Sequence, residues 1–247
     1  TNVTGTFQML EASRRYWNGL AGTKKESFRF VQVSTDEVYG SLGPTGKFTE
    51  NSPMQPNSPY SASKAAGDHL ARAWFETYHM PTIVTNCTNN YGPRQFPEKL
   101  IPAMITRGLA GQPLGIYGKG DNIRDWIHVE DHTRGVYLAL TKGKPGETYC
   151  FGGNSERTNV QVVEALCDTL DALRPRKDGK SYREQITFVA DRPGHDFRYA
   201  IDDSKAEKTL GYKRNYLNFE QGLKATVQWY LDNTAWCEKV TQKKRAA

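Results

Sequence analysis

FRFVQVSTDEVYG, residues 28–40, is the stretch on which the reading of the fold turns. Phe28, Phe30, Val31 and Val33 form a short aromatic and β-branched run of strand type, and the run closes in three hydrogen-bonding side chains, Thr35, Asp36 and Glu37. After a loop rich in Pro, Gly and Ser, SPYSASKAAGDHLARAWFETY (residues 58–78) reads as a helix carrying Tyr60 and Lys64 four apart, on one face. A phenol and an ammonium thus face a hydroxyl and two carboxylates at the C-terminal edge of a strand. In open α/β sheets that edge is where ligands sit.

Outward from this unit the chain alternates. Residues 1–17 read as a helix with Val3, Phe7 and Leu10 on its apolar side, and 19–26 as a polar turn. Residues 40–57, with Gly43, Pro44, Gly46, Pro53 and Pro56, read as a loop over the site. TIVTNCTNNYGP (82–93) gives a strand closed by a turn, completing a strand–helix–strand unit of a parallel sheet. Further on, the pattern predicts helices at 97–111, from 130, at 159–173, 203–210 and 219–236, and strands at 113–117, 126–129, 147–151 and 186–189. The expected class is α/β: a Rossmann-like parallel sheet over residues 1–92, and a smaller mixed α/β lobe over 93–247 with segments that return to the sheet. No repeat or low-complexity segment interrupts it.

The chemistry follows from the residue types. A tyrosine is a weak base at its free pKa of ~10, and a lysine one helical turn later favours the phenolate, so the pair becomes an acid/base for an alcohol proton. Thr35 can share a hydrogen bond with the same oxygen. Taking that proton is productive when a hydride acceptor waits on the adjacent carbon, which points to a nicotinamide cofactor. Taken alone, a Tyr–Lys pair four apart is more often a surface feature. Here the small-residue run around it and the strand-end Thr35 raise its weight. Asp36 and Glu37, if buried together, would push their pKa values apart and give one protonated acid and one base, the equipment for eliminating water; a solvated strand–loop junction is the plainer alternative.

VSTDEVYG and SPYSASKAAGDHL, with TNCTNNYGPRQFPEKLIP, YGKGDNIRDWIHVEDH and FVADRPGHDFRYAIDDSK, resemble the dTDP-glucose 4,6-dehydratases, extended members of the short-chain dehydrogenase/reductase superfamily. The likeness runs from Asn2 to Trp236, and its specific part is the Thr35–Asp36–Glu37 triplet. It implies NAD+ as cofactor and dTDP-glucose as substrate, with Thr35, Asp36, Glu37, Tyr60 and Lys64 catalytic. Tyr60 takes the C4 hydroxyl proton, Glu37 the C5 proton, and Asp36 protonates the departing C6 hydroxyl. It further implies that Asn2, Tyr60, Lys64, Asn86, Cys87 and Thr88 lie by the cofactor. For the nucleotide sugar it implies Asn90, Lys99, Leu100, the 113–117 segment from Pro113 to Tyr117, Arg124, Asn159, Arg192 and His195. Arg124 is suited to the diphosphate; Asn159 also stands where a helix cap would. A homodimer through the helices at 2–17 and 60–78 is implied too, Phe7, Leu70, Trp74 and Phe75 being available, although burial inside one chain serves them equally.

A strand, a GxxGxxG turn and a helix are expected to open such a fold, and no such motif stands before Thr1. The expectation is of a chain holding the later half of the sheet, with roughly a hundred residues of βαβ units elsewhere, omitted or truly absent. Standing alone it would be expected to grip NAD poorly, to fold badly and to be inactive. The rival readings are a 4-epimerase or decarboxylase of the same superfamily and a silent sugar-nucleotide-binding fragment. Bulk properties narrow the remainder. The net charge of +6, from 33 basic and 27 acidic residues, is diffuse, and neither Arg174–Lys177 nor Lys239 to Arg245 makes a nucleic-acid surface. Four scattered cysteines give no metal site or disulfide framework, so reduced thiols in the cytoplasm are expected. No apolar run long enough to span a membrane occurs.

Overall fold

The computed structural model describes the backbone of residues 1–245 and the side chains of residues 1–242. The elements run α1 (Thr4–Asn18), α2 (Gly22–Ser27), β1 (Phe30–Thr35), a 3-10 turn (Asp36–Tyr39), α3 (Pro59–Tyr78), β2 (Thr82–Cys87), β3 (Asn89–Tyr91) and α4 (Leu100–Leu109). Next come β4 (Leu114–Tyr117), β5 (Ile123–His128), α5 (Val129–Lys142), β6 (Thr148–Phe151), β7 (Glu156–Thr158) and α6 (Asn159–Leu173). A 3-10 turn (Tyr182–Gln185), β8 (Ile186–Val189), α7 (Ser204–Leu210), α8 (Phe219–Asp232) and α9 (Thr234–Arg245) complete the chain.

The central sheet is parallel, in the order β1-β2-β6, with Thr35 opposite Cys87 and Cys87 opposite Phe151. Its strand ends therefore lie side by side, where the Thr35–Glu37 triplet begins. Every residue of β2 is buried, as a strand covered on both faces requires. Helix α3 packs on β1 and β2, α1 packs on α3, and α5 packs on β1, β2 and β6. Among the described residues β1 pairs with β2 alone, leaving one edge open beside the exposed Val33.

The second part is built around α4, α6 and α8, whose Ile101, Ile105, Leu166, Leu170, Leu223 and Val227 form one apolar core with Tyr91 and Trp126. Two small sheets flank it: β4 with β8, parallel, and β3-β5-β7. The core that joins β6, α5 and α7 to the central sheet draws on residues after 93, so the chain crosses between the two parts more than once.

Several expectations change. The turn at 19–26 contains α2, and Asn89–Tyr91 is a strand because β5 offers it a parallel partner. The antiparallel strand β7 carries no periodic signal in three residues. The helix expected through 236 breaks at Asn233, and the chain continues as α9, the side chains of Lys243, Lys244 and Arg245 lying outside the described residues. The cap of α6 is Thr158, not Asn159: its hydroxyl accepts from the Gln161 amide in a capping box.

Close backbone approach fixes the junction under the site. A Cβ on Gly153 would lie 1.9 Å from the Trp126 carbonyl oxygen, and the Gly153 and Ser155 amides donate to the Asp125 carboxylate at 2.9 and 2.6 Å. Backbone cannot yield as a side chain can. Gly153→Ala is therefore expected to destabilise the protein by about 3 kcal/mol or more, read as a lowered denaturant midpoint.

Candidate active site

β1 delivers Thr35, and the chain turns there because the Thr35 hydroxyl accepts from the Glu37 amide (3.3 Å), capping the 3-10 turn that holds both carboxylates. The turn ends at Gly40, whose φ of +91° and position against the Gln55 carbonyl, 2.6 Å from where a Cβ would stand, favour glycine. α3 is equally well started. Ser58 and Ser61 form a reciprocal capping box and Pro59 occupies the first turn, so Tyr60 is set at a rigid helix beginning.

A cleft of 310 Å³ opens at this strand edge, lined by Ser34, Thr35, Asp36, Glu37, Tyr60, Cys87, Thr88, Asn89, Asn90, Gln95, Lys99, Leu100 and Trp126. A larger groove of 810 Å³ shares Asn90 and Gln95 with it but is lined mainly by the Tyr91–Arg94 turn and α5. The cleft, not the groove, holds the acid/base groups. Among the polar atoms of its lining residues, Ser34 Oγ, Asp36 Oδ2, Thr88 Oγ1 and Trp126 Nε1 are buried without a hydrogen-bond partner, which in a native fold calls for a ligand or a function.

The two carboxyls differ in environment. Asp36 is 1% exposed, and burial, with the neighbouring Glu37 and Asp125 charges, drives its pKa well above the aspartate range against the opposing Arg124 cation. Glu37 also stands above its usual value through burial, but the cations of Arg124, Arg192 and Lys99 hold it back. Both carboxyls are thus shifted upward, Asp36 the more strongly, while the facing cations favour the ionised form of Glu37.

Tyr60 departs from the expected picture. Its pKa is raised, by burial first and then by Glu37, Cys87 and Asp36. The Lys64 ammonium donates to the Val33 carbonyl at 2.7 Å instead of acting on the phenol. Behind this pair lies a network that the sequence pattern did not reveal. The Asn86 amide donates to the Thr35 carbonyl (3.0 Å) and to Asp68 (3.1 Å), and its oxygen accepts from Tyr39 (3.2 Å). Asp68, buried one helical turn beyond Lys64, is pushed up to about 6 by burial. The i, i+4 spacing from Lys64 was the available signal.

The other expected residues distribute as follows. Cys87 and Thr88 line the cleft, the Cys87 thiol pushed up to about 12 by burial. Asn86 is wholly buried and engaged as described, behind the cleft. Asn2 donates to Ser63 (3.0 Å), next to Lys64. Asn90 is fixed by Thr88, Cys87 and His132, whose Nδ1 lies 2.9 Å from the Asn90 oxygen. Lys99 and Leu100 border the cleft at the start of α4.

Arg124 is 4% exposed and donates to the carbonyls of Ile123, Asp196 and Phe197 while stacking on Tyr199. It bears on the cleft through its charge on Asp36 and Glu37. His195 is paired with Asp191 at 2.7 Å and meets Tyr117 edge-on, its ring centroid 6.4 Å away; Arg192 stands exposed on the same loop. Pro113 is exposed just before β4, roughly 13 Å of strand away from Tyr117, so these two do not share one contact. Asn159 is partly buried, and its backbone amide donates to the Asn122 carbonyl. Ser34, Asn89, Gln95 and Trp126 line the cleft without having been expected there.

The raised Asp36 pKa carries a stability consequence with a definite sign. Between the unfolded-state value and the higher folded one, the unfolded chain binds fewer protons, so stability falls as pH rises through that window, by ~1.4 kcal/mol for each pH unit crossed. Asp36→Asn removes the titration and is expected to raise the melting temperature at pH 7 while leaving it nearly unchanged at pH 3, measured by calorimetry at both values.

Comparison with known proteins places the chain. The family model described as GDP-mannose 4,6 dehydratase matches residues 1–226. The dTDP-glucose 4,6-dehydratase of Xanthomonas campestris pv. campestris (strain B100) is 58% identical over 240 residues, 97% of this chain and 68% of that protein. Among solved structures, the Bacillus anthracis dTDP-glucose 4,6-dehydratase in complex with NAD superposes with a TM-score of 0.85 at 48% identity, over 97% of this chain and 70% of that one. The Streptomyces venezuelae dTDP-glucose 4,6-dehydratase with NAD bound gives 0.85 at 44% identity, over 97% and 68%. The parallel sheet and the cleft at its edge are therefore those of a Rossmann-fold dehydratase, and the chain belongs to the GDP-mannose 4,6 dehydratase family.

Proposed function

We propose that the protein converts dTDP-glucose to dTDP-4-keto-6-deoxy-glucose, as an NAD-dependent hydro-lyase. The observation that carries this reading is the unequal carboxyl pair: a buried Asp36 whose pKa is driven well above its usual value beside a Glu37 that three cations hold back, at one cleft with Tyr60. A 4-epimerase would need Tyr60 but no acid in the place of Asp36.

The residues at hand suit the nicotinamide end of the cofactor. Tyr60, Lys64, Cys87 and Thr88 would hold it, and the unpartnered Thr88 hydroxyl supports a polar ligand pressed against this wall. NAD+ supplies a hydride acceptor for C4 and, later in the same turnover, a donor for C6.

Tyr60 takes the C4 hydroxyl proton, with Thr35 sharing that oxygen, and Lys64 is the cation that favours the phenolate once released from the Val33 carbonyl. The 4-ketone acidifies the C5 hydrogen. Glu37 removes it as a proton, and the C6 hydroxyl leaves as water on taking the Asp36 proton. C5 regains its proton from Glu37. Arg124, Arg192, His195 and Tyr117, grouped on the neighbouring loop and strand, are the candidates for the nucleoside diphosphate, with Asn90, Lys99 and Leu100 between them and the cleft. Residues 1–92 then act mainly on the cofactor side, and 93–247 mainly on the nucleotide side.

A second copy of the chain is the proposed partner. Leu70 and Trp74 are taken up in packing α1 on α3 within the chain. Phe7, Met9, Tyr16 and Tyr78 remain 46%, 60%, 64% and 41% exposed on the same helix pair, which supports a two-fold helix-on-helix contact. No helix among the described residues is long and apolar enough to cross a membrane.

With dTDP-glucose and NAD+ in D2O, the product is expected to have lost one water and to carry one deuterium at C5, read by mass spectrometry and NMR. Tyr60→Phe should lower kcat by about 10²- to 10⁴-fold. Glu37→Gln should abolish deuterium entry at C5, whereas Asp36→Asn should permit it and block water loss. The acid limb of kcat should lie above the ordinary glutamate value, because Glu37 must lose its proton first. A C4 epimer in place of the dehydrated sugar would select the epimerase reading. In sedimentation, Met9→Glu with Tyr16→Glu is expected to reduce a dimer to monomers.

A further inference from the structure

Asp196 lies at a junction that the chemistry above does not use. It is 9% exposed, and its two carboxylate oxygens accept from different parts of the chain: Oδ1 from the Asn57 amide at 2.6 Å and Oδ2 from the Tyr199 hydroxyl. Its backbone carbonyl accepts from Arg124 (2.9 Å) and from Asn122 (3.2 Å), both beside β5. One residue away on the same loop stands His195, and four residues away Arg192. Asn57, on the other side of the bond, immediately precedes Ser58, the cap of α3, and Tyr60 is the second residue of that helix. The loop also touches this turn by backbone, a Cβ on Gly194 falling 3.6 Å from the Asn57 carbonyl oxygen.

A short, part-buried hydrogen bond thus joins the loop carrying the nucleotide candidates to the turn that aims the catalytic phenol. The residues between Asn57 and Tyr60 have little freedom: the Ser58–Ser61 capping box and Pro59 fix them to the helix. A displacement of Asn57 is therefore passed on to Tyr60. The loop's charges are also felt in the cleft, since Arg192 and Asp196 act on Glu37 with opposite sign. We propose that Asn57 and Asp196 are positioning residues, forming a latch that holds the Tyr60 turn in place when a nucleoside diphosphate occupies the 191–198 loop. The inference rests on the sugar-nucleotide reading of that loop and goes beyond it. An error of about 1 Å at the reacting atoms is enough to lower turnover.

Asn57 is itself exposed, so Asn57→Ala leaves the core intact and isolates the bond from general stability. The test is hydrogen exchange by mass spectrometry on the full chain, with and without thymidine diphosphate, a probe that has no sugar to reach the cleft. In the unaltered protein the probe is expected to slow exchange at 191–198 and also at 57–63. Asn57→Ala should keep the first effect and lose most of the second, and Asp196→Asn, which retains one carbonyl oxygen for the bond, should recover part of it. In turnover, Asn57→Ala should lower kcat roughly tenfold while KM stays within about twofold. Equal protection of 57–63 in the variant and the unaltered protein would overturn the latch while leaving the nucleotide reading in place. No protection at 191–198 in any form would overturn both.

Discussion

Desolvation of one carboxyl group is the constraint around which the site is arranged. Asp36 is placed just past the end of β1, in the wall of a cleft shared with Trp126 and Tyr60 and next to a second acid, where its Oδ2 has no hydrogen-bond partner and its Oδ1 has the Thr35 hydroxyl at 3.4 Å. Burial, with the neighbouring Glu37 and Asp125 charges, raises the Asp36 pKa well above the aspartate range and so favours its protonated form. Glu37, one residue on, escapes the same fate because the cations of Arg124, Arg192 and Lys99 face it. Two carboxyl groups on adjacent residues so acquire unequal environments from their surroundings alone. The parallel register of β1, β2 and β6 and the Thr35 cap serve the same end: each sets the angle at which the triplet leaves the strand.

The buried polar layer behind the strand end gives this arrangement its rigidity. Asn86 ties β1 to β2 and to Asp68 on α3, and Tyr39 closes the network from the 3-10 turn. Such a layer is costly if half satisfied and stiff if complete. Here it holds the backbone carbonyl of Thr35, so the end of β1 is fixed from the sheet side while α3 is fixed by its cap. The 196–197 loop is tied to β5 through Arg124, whose donors go to its carbonyls.

Much of this was legible in the sequence, for physical reasons. The strand and helix of the central unit announce themselves by β-branched residues, by Pro and Ser at a helix start and by the spacing of Tyr60 and Lys64, all local signals. What escaped was decided by tertiary partners. β3 and β7 are three-residue strands that exist because β5 lies between them. The inward direction of Asn86 depends on Asp68, eighteen residues earlier. Leu70 and Trp74 fit a helix–helix interface or the chain's own core equally well by sequence, and it is the packing of α1 on α3 that takes them up. Lys64 reads as the activator of Tyr60, but in the folded chain a strand carbonyl competes for its ammonium. The Asn57–Asp196 bond spans 139 residues and has no local trace.

The protonation state of Asp36 in the folded protein at pH 7 is the quantity on which the proposed chemistry stands or falls. An infrared difference spectrum between the unaltered protein and Asp36→Asn, with aspartate carboxyl carbons isotopically labelled, separates a neutral carboxylic acid from a carboxylate. A label-shifted carboxylic-acid carbonyl band that is lost in the variant is expected. A carboxylate band in its place would mean that Asp36 is ionised, and the division of roles between Asp36 and Glu37 would be contradicted.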